Sequence, residues 1–118
     1  MGHNRALGDY GERVAGRHLT ELGMEVLDRN WRCELGEIDL VLREGSTLVV
    51  CEVKTRSSDD YGTPHEAVDE VKAARLRRLA ARWIEQSGVR PREVRFDLVA
   101  VLRPRRGLTD VEHVRGAY

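Results

Sequence analysis

Residues 37–55 read EIDLVLREGSTLVVCEVKT, two runs rich in Val, Leu and Ile on either side of the turn residues Glu44, Gly45, Ser46 and Thr47. Apolar runs flanking a glycine-containing turn specify a β-hairpin. A two-residue or four-residue loop sets Asp39 directly opposite Glu52, and Glu37 opposite Lys54. Strand alternation then puts Asp39, Glu52 and Lys54 on one face and Ile38, Leu40, Leu42, Val49, Cys51 and Val53 on a wholly apolar one. A three-residue loop would throw the two acids onto opposite faces and bury one of them without a partner, which is costly. The apolar side therefore selects the register.

Carboxylates facing each other across an antiparallel pair have Cβ atoms about 4.5 to 5.5 Å apart and repel. A divalent cation would relieve that repulsion. Mg²⁺ binds oxygen at about 2.0 to 2.1 Å and is usually held by one or two carboxylates together with water and phosphate oxygens. Lys54, two residues past Glu52 on the same face, would reach the edge of such a site, where an amine orients water or stabilises charge on phosphate. On spacing alone two readings stay open. The other is an ordinary charged solvent face, with Glu37 and Lys54 as a cross-strand pair.

Outward from the hairpin, Arg5–Leu22 carries Leu7, Val14, Ala15, Leu19 and Leu22 near helical spacing, with Asn4 as N-cap and Gly23 at the C′ position. Gly8, Gly11 and Gly16 would let this helix approach a sheet closely. Met24–Arg29 reads as a strand before the hairpin. Thr63, Pro64, His65 and Glu66 form a capping box that opens a second helix running to Gly88. Val94–Leu102 and Val111–Val114 read as two more strands, joined by a turn over residues 104–109. The order αβββαββ predicts an α/β domain with a mixed central sheet flanked by helices. Arg56–Gly62 is expected to be a loop.

The chain has 118 residues, 41% hydrophobic and 34% charged, which predicts one domain with one modest core. Aromatic residues make up 5%, so Leu, Val and Ala must supply most of the buried area. Twenty basic residues balance twenty acidic ones, but residues 1–64 hold 8 basic and 12 acidic and residues 65–118 the reverse. An anionic partner would meet a local basic patch rather than a basic molecule. No apolar stretch approaches the roughly 20 residues that cross a bilayer, and Met1–Tyr10 lacks the apolar segment of a secretory signal, so a cytoplasmic location with no membrane partner is expected. Cys33 and Cys51 are expected to be free thiols.

The strings GEIDLV (Gly36–Val41) and CEVKTR (Cys51–Arg56), preceded by GDYGERVA (Gly8–Ala15), resemble the YraN family of small bacterial proteins regarded as endonucleases. That family is a branch of the PD-(D/E)xK nuclease superfamily and is similar to archaeal Holliday-junction resolvases. The resemblance covers nearly the whole chain. It implies a restriction-endonuclease-like core and Mg²⁺-dependent cleavage of DNA, with Mn²⁺ as a substitute ion. Asp39 and Glu52 would be metal ligands, Lys54 the third member of the motif, and Glu12 a further acidic ligand from the first helix. Ile38 departs from the superfamily pattern, in which a proline often precedes the aspartate.

Arg75, Arg78 and Arg82 share one helix face with Lys72 and have few acids at i±4 to pair with them. Such a stripe suits phosphate contacts, and Lys72 and Arg75 are the chosen candidates, with Arg56 at the end of the hairpin. Asp97, inside an apolar strand, needs Arg95 or a backbone amide if buried. The four histidines are expected at the surface or in caps, and Trp31 and Trp83 in the core or at its edge. The rival function is a non-cleaving nucleic-acid-binding or protein-interaction module on the same fold. A homodimer would suit a two-fold junction, although no interface is legible.

Overall fold

The computed structural model describes residues 2–57 and 69–118. Its order is α1 (Gly2–Glu21), β1 (Glu25–Cys33), β2 (Gly36–Glu44), β3 (Thr47–Arg56), α2 (Glu70–Ser87), β4 (Glu93–Leu102) and β5 (Asp110–Val114). This is the expected αβββαββ. The five strands lie side by side in sequence order, all neighbours antiparallel except β3 and β4, which run parallel through the crossover that contains α2. A mixed sheet of this kind must cover both faces, because a parallel pair is buried on each side.

α1 covers one face and α2 the other. On the α1 side Ala15, Leu19, Met24, Leu40, Leu42, Val49, Cys51, Val99 and Val101 form one apolar cluster. On the α2 side Ile38, Val41, Leu48, Val50, Leu76, Leu79, Ala80 and Trp83 form the second. Two corrections to the hairpin reading follow. The second face is not a solvent face, since Val41, Leu48 and Val50 are as buried as their counterparts. Ile38 also packs with Val41 on the α2 side rather than with Leu40, so strict alternation breaks at Asp39.

α1 begins at Gly2, so Asn4 lies within the helix rather than at its cap. Its end is as expected. Gly23 has φ +100, its N–H bonds Thr20 O at 3.0 Å and the Met24 N–H bonds Leu19 O at 3.1 Å, which satisfies carbonyls that the last turn leaves free. Gly11 permits close packing: a Cβ there would lie 1.8 Å from Thr55 Oγ1. Gly16 faces the Arg29 guanidinium in the same way at 3.0 Å, whereas Gly8 has nothing within 4 Å and has no such role.

α2 is not a continuous helix from Thr63. Asp69 is extended, at φ −148 and ψ 165, and its side chain accepts the Lys72 N–H, so it is the N-cap of Glu70–Ser87. The box Thr63–Glu66 and residues 58–62 of the expected loop lie outside the described residues, while Arg56 belongs to β3. Gly88, at φ 76, closes the helix. Cys33 and Cys51 are free. Trp83 is buried and its Nε1 donates to Asp28 Oδ2 at 2.9 Å. Among the described residues no helix is long and apolar enough to cross a membrane.

Candidate functional site

The β2–β3 register pairs Leu40 with Cys51, Val41 with Val50 and Glu44 with Thr47, as the two- or four-residue loop requires. One step further it would pair Asp39 with Glu52, but the ladder stops at Leu40. There the Asp39 side chain takes over, and its Oδ2 accepts the Val53 N–H at 2.8 Å. Glu52 and Lys54 continue the β3 row that begins with Leu48 and Val50 beneath α2, so they emerge beside the first turn of that helix. Asp39, Glu52, Glu37, Leu35, Gly36, Arg75 and Leu76 line one pocket of about 280 Å³. The two acids thus share one wall of this pocket, beside the first turns of α2.

Asp39 is pushed up to about 7, first by burial and then by Glu12, Glu52 and Glu37, against the lowering effect of the Val53 N–H. No ion pair neutralises it among the described residues. Glu52 is held differently. Tyr118 donates its hydroxyl to Oε2, while Lys72 Nζ and Lys54 Nζ stand 3.5 and 3.9 Å from Oε1. The Lys54 amine is pulled below its ordinary value by burial and by the neighbouring Lys72. Glu12 stands on α1 along a separate pocket with Asp9, Arg13, Arg29, Asn30 and Leu40; burial raises its carboxyl, and the Asn30 side chain opposes the rise. Its field reaches Asp39. Among the described residues no three Asp, Glu, His or Cys side chains gather closely enough to hold one ion together.

The remaining residues divide. Lys72 is inside the site rather than on an open stripe, and Arg75 is on the pocket wall. Arg82 is bound to Glu34 of the β1–β2 turn at 2.6 Å, a partner that helical spacing does not reveal. Glu37 pairs with Arg32 at 2.7 Å across β1 and β2, not with Lys54. Arg56 ends β3 next to Lys54 and adds to the positive field there.

The model of Uncharacterised protein family UPF0102 matches residues 11–101. The chain is 66% identical over 112 residues to a UPF0102 protein of a Nocardioides species, covering 95% of this chain and 90% of that one. Identity to the UPF0102 protein of Beutenbergia cavernae is 62% over 111 residues, 94% of each chain, and to that of Streptomyces coelicolor 56% over 118 residues, 98% of this chain and 91% of the relative.

The chain belongs to UPF0102, the YraN family. The UPF0102 match takes in Glu12, Asp39, Glu52, Lys54, Arg56, Lys72 and Arg75 and stops before Tyr118. Tyr118 is the site residue that sequence reasoning missed. Nothing local marks it, because its partner is 66 positions away. His113 was expected at the surface or in a cap, but its side chain is only 8% exposed, with Nε2 2.7 Å from Asp97 Oδ2. Asp97 itself is fully buried and binds both of its expected kinds of partner, Arg95 Nε at 2.8 Å and the Gly116 N–H at 3.0 Å.

Proposed function

We propose that this UPF0102 chain is a Mg²⁺-dependent endonuclease that hydrolyses phosphodiester bonds in DNA, with branched recombination and repair intermediates as its substrate class. The observation that carries the reading is Asp39 beside Glu52 at the open end of the β2–β3 ladder, with Asp39 half-buried and without a cationic partner among the described residues. The donor set consists of carboxylate oxygens. That chemistry fits Mg²⁺ or Mn²⁺ rather than an ion selected by thiolate or imidazole. Two carboxylates suffice, since Mg²⁺ takes its other ligands from water and substrate phosphate. Asp39 and Glu52 would hold the ion, and Glu12, in the separate pocket, would add its negative field at Asp39.

When bound, the ion would lower the pKa of a water and offset the charge of the scissile phosphate. Lys54 supports the same step from β3, where its amine can orient water or stabilise charge on the phosphate. Arg75 on the pocket wall, Lys72 and Arg56 supply the positive field for the DNA backbone. Glu37, on the wall of the same pocket, is paired with Arg32.

The test incubates pure protein with linear, flapped and four-way DNA in Mg²⁺, Mn²⁺ or chelator, beside Asp39→Ala and Lys54→Ala. Metal-dependent cleavage is expected, lost in both folded variants. Cleavage surviving in both would assign the activity to a contaminant, and no cleavage of any substrate would leave the DNA-binding module as the better reading. One observation favours that module: Lys72, Lys54 and Tyr118 already satisfy the Glu52 carboxylate. In that case Asp39→Ala would leave DNA affinity unchanged and metal would have no effect.

A further inference from the structure

Tyr118 reaches Glu52 through a continuous series of contacts that starts in the middle of the sheet. Asp97 of β4, fully buried, gathers the Arg95 guanidinium, the His113 ring of β5 and the Gly116 N–H. Arg115, the residue before that turn, is held by Glu44 at 3.0 Å, and Glu44 also binds Arg95 at 2.9 Å. Gly116 then turns the chain at φ 63, a conformation that side chains disfavour. Two residues later the Tyr118 N–H donates to Phe96 O at 3.4 Å, and the ring packs on the α2-side cluster. The segment after β5 is therefore tied to β4 at both ends. Its packing leaves the phenol oxygen little choice of position.

We infer that Tyr118 is the positioning residue of Glu52, its hydroxyl fixing Oε2 so that the carboxylate stays in the pocket beside Asp39. The inference rests on the metal-dependent reading of that pocket. Two kinds of donor surround Glu52, and they differ in what a cation would do to them. Lys72 and Lys54 bring positive charge to Oε1 and would compete with an incoming ion. Tyr118 brings a neutral donor to the opposite oxygen, which orients the carboxylate and leaves its negative charge available. Partners of this outer kind commonly govern metal affinity as strongly as the ligands' own placement does. The cations paired with Glu52 come from β3 and α2 and the acids beside it from β2, and among the described residues the phenol is the one neutral side-chain donor to it.

Three full-length proteins decide the matter: the unsubstituted chain, Tyr118→Phe and Glu52→Gln. Mn²⁺ binding is measured by calorimetry, and the ¹³C resonance of the Glu52 carboxyl is recorded without metal. Tyr118→Phe keeps the ring and its packing, so the thermal midpoint should hold, while Mn²⁺ affinity falls about 10- to 100-fold and the Glu52 resonance moves. Unchanged affinity in Tyr118→Phe, or an unmoved Glu52 resonance, overturns the positioning role. Failure of the underlying reading looks different: the unsubstituted chain binds no Mn²⁺, or Glu52→Gln binds it equally well, before Tyr118 is altered.

Discussion

Asp39 and Asp97 are both held in the sheet, and their surroundings drive them in opposite directions. Burial and three neighbouring acids raise Asp39 to about 7. An acid whose folded pKa exceeds its unfolded one binds more protons when folded, so its contribution to stability falls as pH climbs from about 4 to about 7. Asp39→Asn abolishes that loss. Its thermal midpoint should match the unsubstituted chain near pH 4 and exceed it at pH 8 by an amount on the order of 2 kcal/mol in stability, while metal-dependent cleavage disappears. An equal midpoint at every pH would show that Asp39 is not strained. The hairpin spacing reveals that Asp39 and Glu52 come to one pocket at the end of the ladder. Their unequal surroundings follow from what α2 and the segment after β5 bring to Glu52 alone, which spacing does not carry.

Among the elements, α1 shows how a sequence pattern becomes a packing constraint. Its three glycines read as sites of close approach, and the sheet uses Gly11 and Gly16 but not Gly8. Gly11→Ala would press a methyl onto Thr55 Oγ1 and force α1 away from β3, at a cost of about 1–3 kcal/mol. Denaturant unfolding checks it, and adding Thr55→Ala should recover part of the loss. Because Glu12 follows Gly11, the same shift would move Glu12 relative to Asp39. In α2 the helical spacing was correct to its end at Gly88, but periodicity did not reveal that Asp69 is extended and takes the cap of Glu70–Ser87.

Across the whole molecule, Asp97 joins β4 to β5, to the β2–β3 turn through Arg95 and Glu44, and to the segment that carries Tyr118. Burial alone would raise its carboxyl, but His113, Arg95 and the Gly116 N–H together lower it to about 2. A depressed acid stabilises the fold above its unfolded pKa and loses that contribution as pH falls, here between about pH 4 and 2. Asp97→Ala leaves the half-buried Arg95 with Glu44 alone and removes the partner of His113 and of the Gly116 N–H, and should cost about 1–3 kcal/mol, read by urea unfolding at pH 7. The mutant should also lack the acid transition between pH 4 and 2. A cost below about 1 kcal/mol would show that the network contributes little.

Local rules are sufficient for the order of elements, the hairpin register, the glycine stop of each helix and the meeting of Asp39 with Glu52, because each depends on residues a few positions apart or on one turn. The tertiary structure alone decided that both faces of the hairpin are buried, that Ile38 changes sides at Asp39, that Arg82 is taken by Glu34, and that His113 and Tyr118 turn inward. Each of these depends on which chain segment covers which face. A contact between residues 16 to 66 positions apart is set by the closing of the sheet and its helices, not by any pattern that neighbouring residues carry.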